Sequence, residues 1–328
     1  MLTLTLQRSG QTPSTENSVL STLSGAPPPA VAPFDAAKAK EHQAAWAKHL
    51  GVPVEITNSI GMKLVLIPPG EFTMGSPKEL IDEELKTAPK GDTWYLEHLP
   101  GEGPQHRARI TRPFYFGVYL VTQQEYERVM GTNPSEFSTT GKSKGKVAGQ
   151  DTKRFPVESV SWDDCQEFLK KLNEKEKGKG WLYRLLTEGE SEYACRGGAI
   201  SEEECSYHFY FDKPTNDLSS AQANFNGNFP FGEGEKGPYL QRTTRVGAYP
   251  SNRLGLCDMH GNVWQWCSDL YDPKAPATAA SPRVNRGGDW AEFGPYCRAA
   301  LRRGSLPSYR ISGLGLRLAR VPSAPAGK

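Results

Sequence analysis

The sequence predicts an α+β fold with few short helices, short antiparallel strands and long ordered loops. Three observations point there. The chain holds 33 glycines and 26 prolines in 328 residues, so turns and breaks are frequent and long helices rare. Its hydrophobic fraction of 37% is enough for a core. Helical starts are confined to the first two thirds, and from residue 205 to 325 no helical period recurs. A chain of this length can hold one irregular domain of about 250 residues with flanking segments.

Residues 1 to about 34 read as a disordered tail. Ser, Thr and Gly give way to Pro27-Pro28-Pro29 and Pro33, a composition that buries too little apolar surface to fold. A short helix and linker over 35–53 follow, with Asp35 as the cap, Ala36 to Leu50 helical, and Gly51 and Pro53 as the stop. Trp46 and Leu50 are its large apolar groups, one turn apart, so weak docking is expected. The globular body is then expected over 54–322, with 323–328 a second tail.

Within the body, Gly61 to Ile67 reads as a strand, Pro68-Pro69-Gly70 as a turn and Glu71 to Gly75 as the partner strand of a hairpin. Residues 77 to 104 are charged and without periodicity, which predicts a mobile surface loop. Arg107 to Gly117 alternates and carries Phe114, Tyr115 and Phe116, so it reads as strand. Three helix starts share one device: Thr122 with Glu125, Ser161 with Asp164, and Thr187 with Glu190. In each, a hydroxyl can accept a first-turn amide while a carboxylate reaches back. The second helix carries Trp162, Cys165, Phe168, Leu169 and Leu172 on one face and should pack by that stripe. The third should end at Arg196-Gly197-Gly198.

The formal charge of +2 argues against a nucleic acid or an anionic membrane as partner. Arg298, Arg302, Arg303, Arg310, Arg317 and Arg320 are scattered among glycines and apolar residues, so ion pairs are their expected use. No signal peptide or membrane span is read, and a cytoplasmic location is expected. The cysteines, Cys165, Cys195, Cys205, Cys257, Cys267 and Cys297, form no Cys-x-x-Cys pair, which argues against a zinc knuckle. Free, buried thiols are the expectation for most of them. The histidines (His42, His49, His98, His106, His208 and His260) form no His-x-x-x-His metal pair. Neither a Gly-x-Ser-x-Gly elbow nor a phosphate-binding glycine loop is present.

Seven landmarks then fall in order. They are Pro69 to Gly75, Gly131 to Ser135, Pro156 to Trp162, and Leu186-Thr187-Glu188 through Arg196. After them come Gly255 to Trp266, Arg286-Gly287-Gly288-Asp289-Trp290 with Cys297 to Ala300, and Gly313 to Arg317. Together, over roughly residues 54 to 321, they resemble the formylglycine-generating enzyme (sulfatase-modifying factor) family. The resemblance implies an irregular, loop-rich fold related to C-type lectins. Departures lie in the third helix, where family members usually carry Pro, Ala and Trp and this chain has Leu186, Gly189 and Ser191. A mid-helix glycine costs about 1 kcal/mol against alanine, and losing an indole removes a large apolar contact.

The resemblance also implies copper chemistry through two cysteines five apart, just after the Gly-Gly pair. Counted forward from Gly288, those positions are Glu292 and Cys297. Counted back from Arg302, Pro307 and Arg317, they are Asp289 and Gly294. Neither registration gives the thiolate pair that copper(I) prefers, so copper is not expected. Cys297 is the remaining candidate catalytic thiol, beside Arg298; a packed residue within a strand is the competing reading.

A structural calcium is implied on the Asp258 side chain, the Gly261 and Val263 carbonyls and the Gln265 side chain. There a neutral amide stands for a carboxylate and weakens the site. The competing reading is a packing turn beneath Trp264 and Trp266. A second implied calcium site would use Asn224, the Phe225 carbonyl and an acid from the Glu233/Glu235 loop.

These readings converge on a family domain without the copper pair, acting as a binding module for a protein, peptide or small ligand in a lectin-like groove. Asp289, Trp290, Glu292 and Arg298 are its candidate binding residues, with loops 289–296 and 304–312 exposed. The alternative is a copper-dependent oxidase that converts a sulfatase cysteine to formylglycine with a rearranged thiol site.

Overall fold

The computed structural model describes residues 25–31, 34–88, 90–197, 204 and 207–323. A short strand, β1 (Ala30–Val31), leads into helix α1 (Ala36–Leu50). The Asp35 carboxylate accepts the Lys38 N–H, and Gly51 closes the helix in the left-handed region at φ +65°, as the sequence predicts.

The docking of α1 is tighter than expected. Trp46 is 3% exposed, lies in the main core cluster and donates its indole N–H to the Pro28 carbonyl at 3.2 Å. Gln43 donates to the Leu66 carbonyl at 2.9 Å. Ala39 and Ala47 are buried, and such small side chains let the helix backbone approach the sheet. Ala30 pairs in parallel register with Gly70 and is fully buried. The last residues of the expected tail therefore join the body. The tail through residue 24 lies outside the described residues.

Strands β2 (Glu55–Thr57), β3 (Lys63–Ile67) and β4 (Gly70–Met74) follow, but β3 and β4 do not form the expected hairpin. Strand β3 pairs with β2 and, after the strand β5 (His106–Ile110), with β6 (Phe114–Gly117). Strand β4 pairs with β1 and β5 in a separate sheet. Pro68 and Pro69 have no N–H to give a ladder, so the chain turns a corner between sheets instead of folding back. The close approach at Gly70 needs glycine: a Cβ there would lie 2.2 Å from the Tyr193 hydroxyl. Pro113 likewise splits the strand read over 107–117 into β5 and β6.

Residues 77–104 are not a loop. They form α2 (Lys78–Thr87), α3 (Thr93–His98) and a 3-10 turn at Leu99–Glu102. Ile81, Tyr95 and Leu99 anchor them in the core, too sparsely spaced to read as a periodic face.

All three capping boxes form, at α4 (Gln123–Met130), α5 (Trp162–Lys175) and α6 (Glu188–Cys195). Helix α5 buries Cys165, Phe168, Leu169 and Leu172 as its stripe predicts, and Phe168 stacks on Tyr126 of α4 at 5.2 Å. Gly197 follows α6 at φ +76°. Strand β7 (Trp181–Leu185) precedes α6, and after α6 the described residues hold strands and 3-10 turns but no further α-helix. The first, β8 (Phe209–Tyr210), pairs with β9 (Pro214–Thr215). A four-stranded sheet combines β10 (Trp264–Leu270), β11 (Arg283–Arg286), β12 (Arg302–Ser305) and β13 (Leu314–Gly315) in the order β12-β11-β10-β13. The last strand, β14 (Leu318–Pro322), completes a five-stranded sheet, β2-β3-β6-β14-β7.

That sheet divides the core. Leu64, Leu66 and Tyr115 face one cluster, while Val65, Ile67, Phe114 and Phe116 face the other, the two-residue alternation of strands buried on both sides.

The packing of α1 gives a measurable outcome. Trp46→Ala should lower unfolding stability by about 3 kcal/mol or more in urea titrations, the usual loss for truncating a buried indole. Weak docking would give a loss below about 1 kcal/mol.

Candidate functional site

The C-terminal block begins where β11 ends. Gly287 and Gly288 turn the chain at φ +104° and +76°. A Cβ on Gly288 would sit 2.7 Å from the Cys297 sulfur, so only glycine fits. The Asp289 carboxylate then accepts the Ala291 N–H at 2.7 Å and the Glu292 N–H at 3.1 Å, winding the loop around itself. Burial and the neighbouring Glu292 charge raise the Asp289 pKa, and burial raises that of Glu292. Glu292 lies 3.8 Å from Arg303. The Trp290 indole donates to the Ser312 carbonyl at 2.9 Å and meets the Phe137 ring edge-on. Asp289, Trp290 and Glu292 thus share one folded loop. Of residues 289–296, Phe293 alone is exposed, tilted against Phe229 at 4.2 Å; the expected open loop is otherwise packed.

Arg298 does not belong to a binding surface. It is 1% exposed and donates to Glu102 at 2.5 Å and to the Pro295 carbonyl at 3.1 Å. Its partner lies in the segment that the sequence reads as a mobile loop, so the burial of Arg298 could not be foreseen.

Cys297 ends a 3-10 turn, Gly294–Cys297, where a strand was expected. Its side chain is fully buried among Phe209, Leu218, Ala223 and Phe225. Burial, with the charges of Asp289 and Glu292, pushes its thiol pKa far up. The five described cysteines are all free and buried, Cys165 in one core cluster and Cys195 in the other. Cys205 lies outside the described residues. Cys195 approaches His260 Nε2 at 3.6 Å, the outline of a thiol–imidazole pair. Yet Nε2 accepts the Tyr210 N–H at 2.9 Å, and Nδ1 donates to the Cys297 carbonyl at 2.7 Å. Burial holds the imidazole pKa down at about 4 and the Cys195 thiol up at about 12. A ring whose lone pair is already used cannot serve as general base.

Asp258, Gly261 and Asn262 all have positive φ and wind the segment into tight turns. The Asp258 carboxylate accepts the Gly247 N–H at 2.8 Å, and the Gly261 carbonyl accepts the Val263 N–H at 3.0 Å. Gln265 turns its oxygen to Arg317 Nε at 2.9 Å and its NH2 to the Asp258 carbonyl at 3.3 Å. Arg317, fully buried, also donates to the carbonyls of Gly117, Val118, Cys257 and Asp258. Burial lowers its pKa to about 10, which leaves it charged at neutral pH. Asn224 donates to the Arg242 carbonyl and to Asn262, Phe225 packs beside Cys297, and Glu233 and Glu235 are exposed. Among the described residues, no three His, Cys, Asp or Glu side chains gather as a metal site.

A groove of about 840 Å³ opens elsewhere, lined by Tyr126, Met130, Asn133, Ser135, Ser159 and Arg310 among others. It includes the half-buried Ile311 and Ser312; of the stretch expected to be an exposed loop over 304–312, Leu306 and residues 308–310 are exposed, whereas Gly304 and Ser305 close β12 and Pro307 is buried. Arg310 holds Asp164 at its edge at 2.7 Å. Beside it Glu158 is fully buried, accepting the Phe137 N–H at 2.9 Å and the Ser159 hydroxyl at 2.8 Å. Ser159 itself sits at φ +61°. Sequence reasoning passed over Glu158, although a carboxylate between Val157 and Val160 in an apolar run was a usable signal.

Burial lifts the Glu158 pKa from 4.5 to about 7. Below pH 4.5 the group is neutral folded or unfolded. Between the two values only the unfolded chain ionises, so the fold loses stability as pH rises, by about 3 kcal/mol at most. Glu158→Gln keeps the shape and removes the ionisation. Its urea-derived stability should therefore gain on the wild type between pH 5 and 8, and parallel pH profiles would contradict this assignment.

Comparison with known proteins places these features in a lineage. The chain matches the sulfatase-modifying factor enzyme 1-like domain over residues 53–322. It is similar to the formylglycine-generating enzyme of Mus musculus, 28% identical over 309 residues, covering 80% of this chain and 76% of that one. It is also similar to the inactive C-alpha-formylglycine-generating enzyme 2 of Bos taurus, 24% identical over 320 residues, covering 84% of this chain and 93% of the relative. Among solved structures, PvdO from Pseudomonas aeruginosa aligns with a TM-score of 0.57 and 27% identity, over 81% of this chain and 97% of that one. No helix among the described residues is long and apolar enough to cross a membrane. The chain belongs to the sulfatase-modifying factor (formylglycine-generating enzyme) family.

Proposed function

We propose that this domain is a binding module of its family in which the copper-dependent oxidase reaction is not built. The observation that carries the reading is Cys297, the one cysteine of the C-terminal block, enclosed by aromatic and aliphatic side chains with its thiol held protonated. Copper(I) needs accessible thiolates, two of them for a linear site. The 840 Å³ groove offers hydroxyl, amide and carbonyl groups along an open floor, suited to an extended peptide or a ligand of similar polarity. Copper(I) titration against a competing chelator should show no stoichiometric site, and a Cys-x-Pro-x-Arg peptide should keep its mass after incubation with the protein and copper. One-to-one copper binding together with conversion of the peptide cysteine to an aldehyde would establish the oxidase instead.

We further infer that Arg317, and not calcium, organises the segment from Asp258 to Gln265. A divalent cation placed on these ligands would meet a guanidinium that already takes the Gln265 oxygen and the Asp258 carbonyl. Chelation by EDTA should leave the thermal midpoint unchanged. A midpoint that falls with EDTA and recovers with added calcium would contradict this reading.

A further inference from the structure

The corner between β5 and β6 forms because Pro113 ends one strand and the chain changes sheets there. It leaves a pocket of about 270 Å³ between the two sheets and the start of α6. Arg109 and Arg112 come from the corner, Arg184 from β7, and Thr111 and Thr187 add hydroxyls.

The carboxylates around this pocket are already committed. Glu71 lies directly across the ladder from Arg109 and accepts from both Arg109 and Arg107. Glu190 takes Arg184 through both oxygens, at 2.7 and 2.6 Å, and also accepts the Thr187 N–H at 2.9 Å. Among the described residues Arg112 has no ion-pair partner, and it is exposed. Arg107, Arg109 and Arg184 thus take up the two carboxylates and leave Arg112 over. Arg112 keeps its whole planar fork of donors, and such forks match oxyanions with two parallel hydrogen bonds. Pro113, Ile110 and Val321 provide the apolar part of the wall.

We propose that this pocket binds the oxyanion group, phosphate or carboxylate, of a small molecule, with Arg112 as its main contact and Arg109 and Arg184 flanking it. The volume exceeds that of a bare inorganic ion, which leaves room for a compact organic portion along Pro113 and Val321. This site is separate from Cys297 and from the 840 Å³ groove, and stands whether or not the domain oxidises anything.

The test uses the full chain with arginine side chains labelled with 15N. Inorganic phosphate and acetate are titrated separately, each against chloride at matched ionic strength. Saturable shifts of the Arg109, Arg112 and Arg184 Nε–H signals are expected with an oxyanion and not with chloride. Saturation by phosphate alone assigns the phosphoryl group, and saturation by acetate assigns the carboxylate. Arg112→Ala, at an exposed position where folding should be unaffected, is expected to weaken binding at least tenfold; Lys170→Ala, exposed on α5 and outside the pocket lining, should not. Linear shifts equal to those with chloride, or full affinity in Arg112→Ala, would overturn the proposal.

Discussion

Charged groups that water cannot reach hold the C-terminal block in place. Arg286 donates to the Ala300 and Leu301 carbonyls and pairs with Glu192 of α6, which also takes Arg196. Arg298 pairs with Glu102, at the end of the helical segment that follows β4. Breaking one such pair costs about 3–5 kcal/mol, because the remaining charge stays buried. The energy matters less than the routing. The Arg286–Glu192 and Arg298–Glu102 pairs join residues 94 and 196 positions apart in sequence, and together they constrain the path of the intervening loop.

That path decides what the site can do. With Arg286 and Arg298 fixed, the chain between them must turn on Gly287 and Gly288, and Cys297 is delivered inward beneath Phe209 and Phe225. The Cys297 carbonyl is then held by His260, whose other nitrogen binds the Tyr210 amide. The same anchoring turns Trp290 towards Ser312 and Phe137, beside residues that line the large groove. The block packs inward around Cys297, and the large groove opens beside it.

The parts of this arrangement legible in the sequence are those whose cause is local. Capping boxes depend on residues three apart, and all three formed as read; Asp35, Gly51 and the α5 stripe are equally local. The parts that escaped depend on distant partners. The expected hairpin at Pro68-Pro69 failed because each strand found a better neighbour elsewhere in the chain. Residues 77–104 looked unstructured because their charged face hides three widely spaced anchors and one carboxylate whose partner is Arg298. At the candidate site, the placing of Asp289, Trp290 and Glu292 on one loop was legible, because they are neighbours in sequence. The groove was not, since three separate stretches of chain build it, and Glu158 reveals its role only through the amide it accepts.

Every described thiol of this domain is buried, so none of them should be open to a soft metal. Silver(I), a redox-inert substitute for copper(I), tests it directly by anomalous scattering from crystals soaked under reducing conditions. No silver should bind Cys297 or bridge it to another sulfur. A fully occupied silver ion held linearly between Cys297 and a second thiol would contradict it.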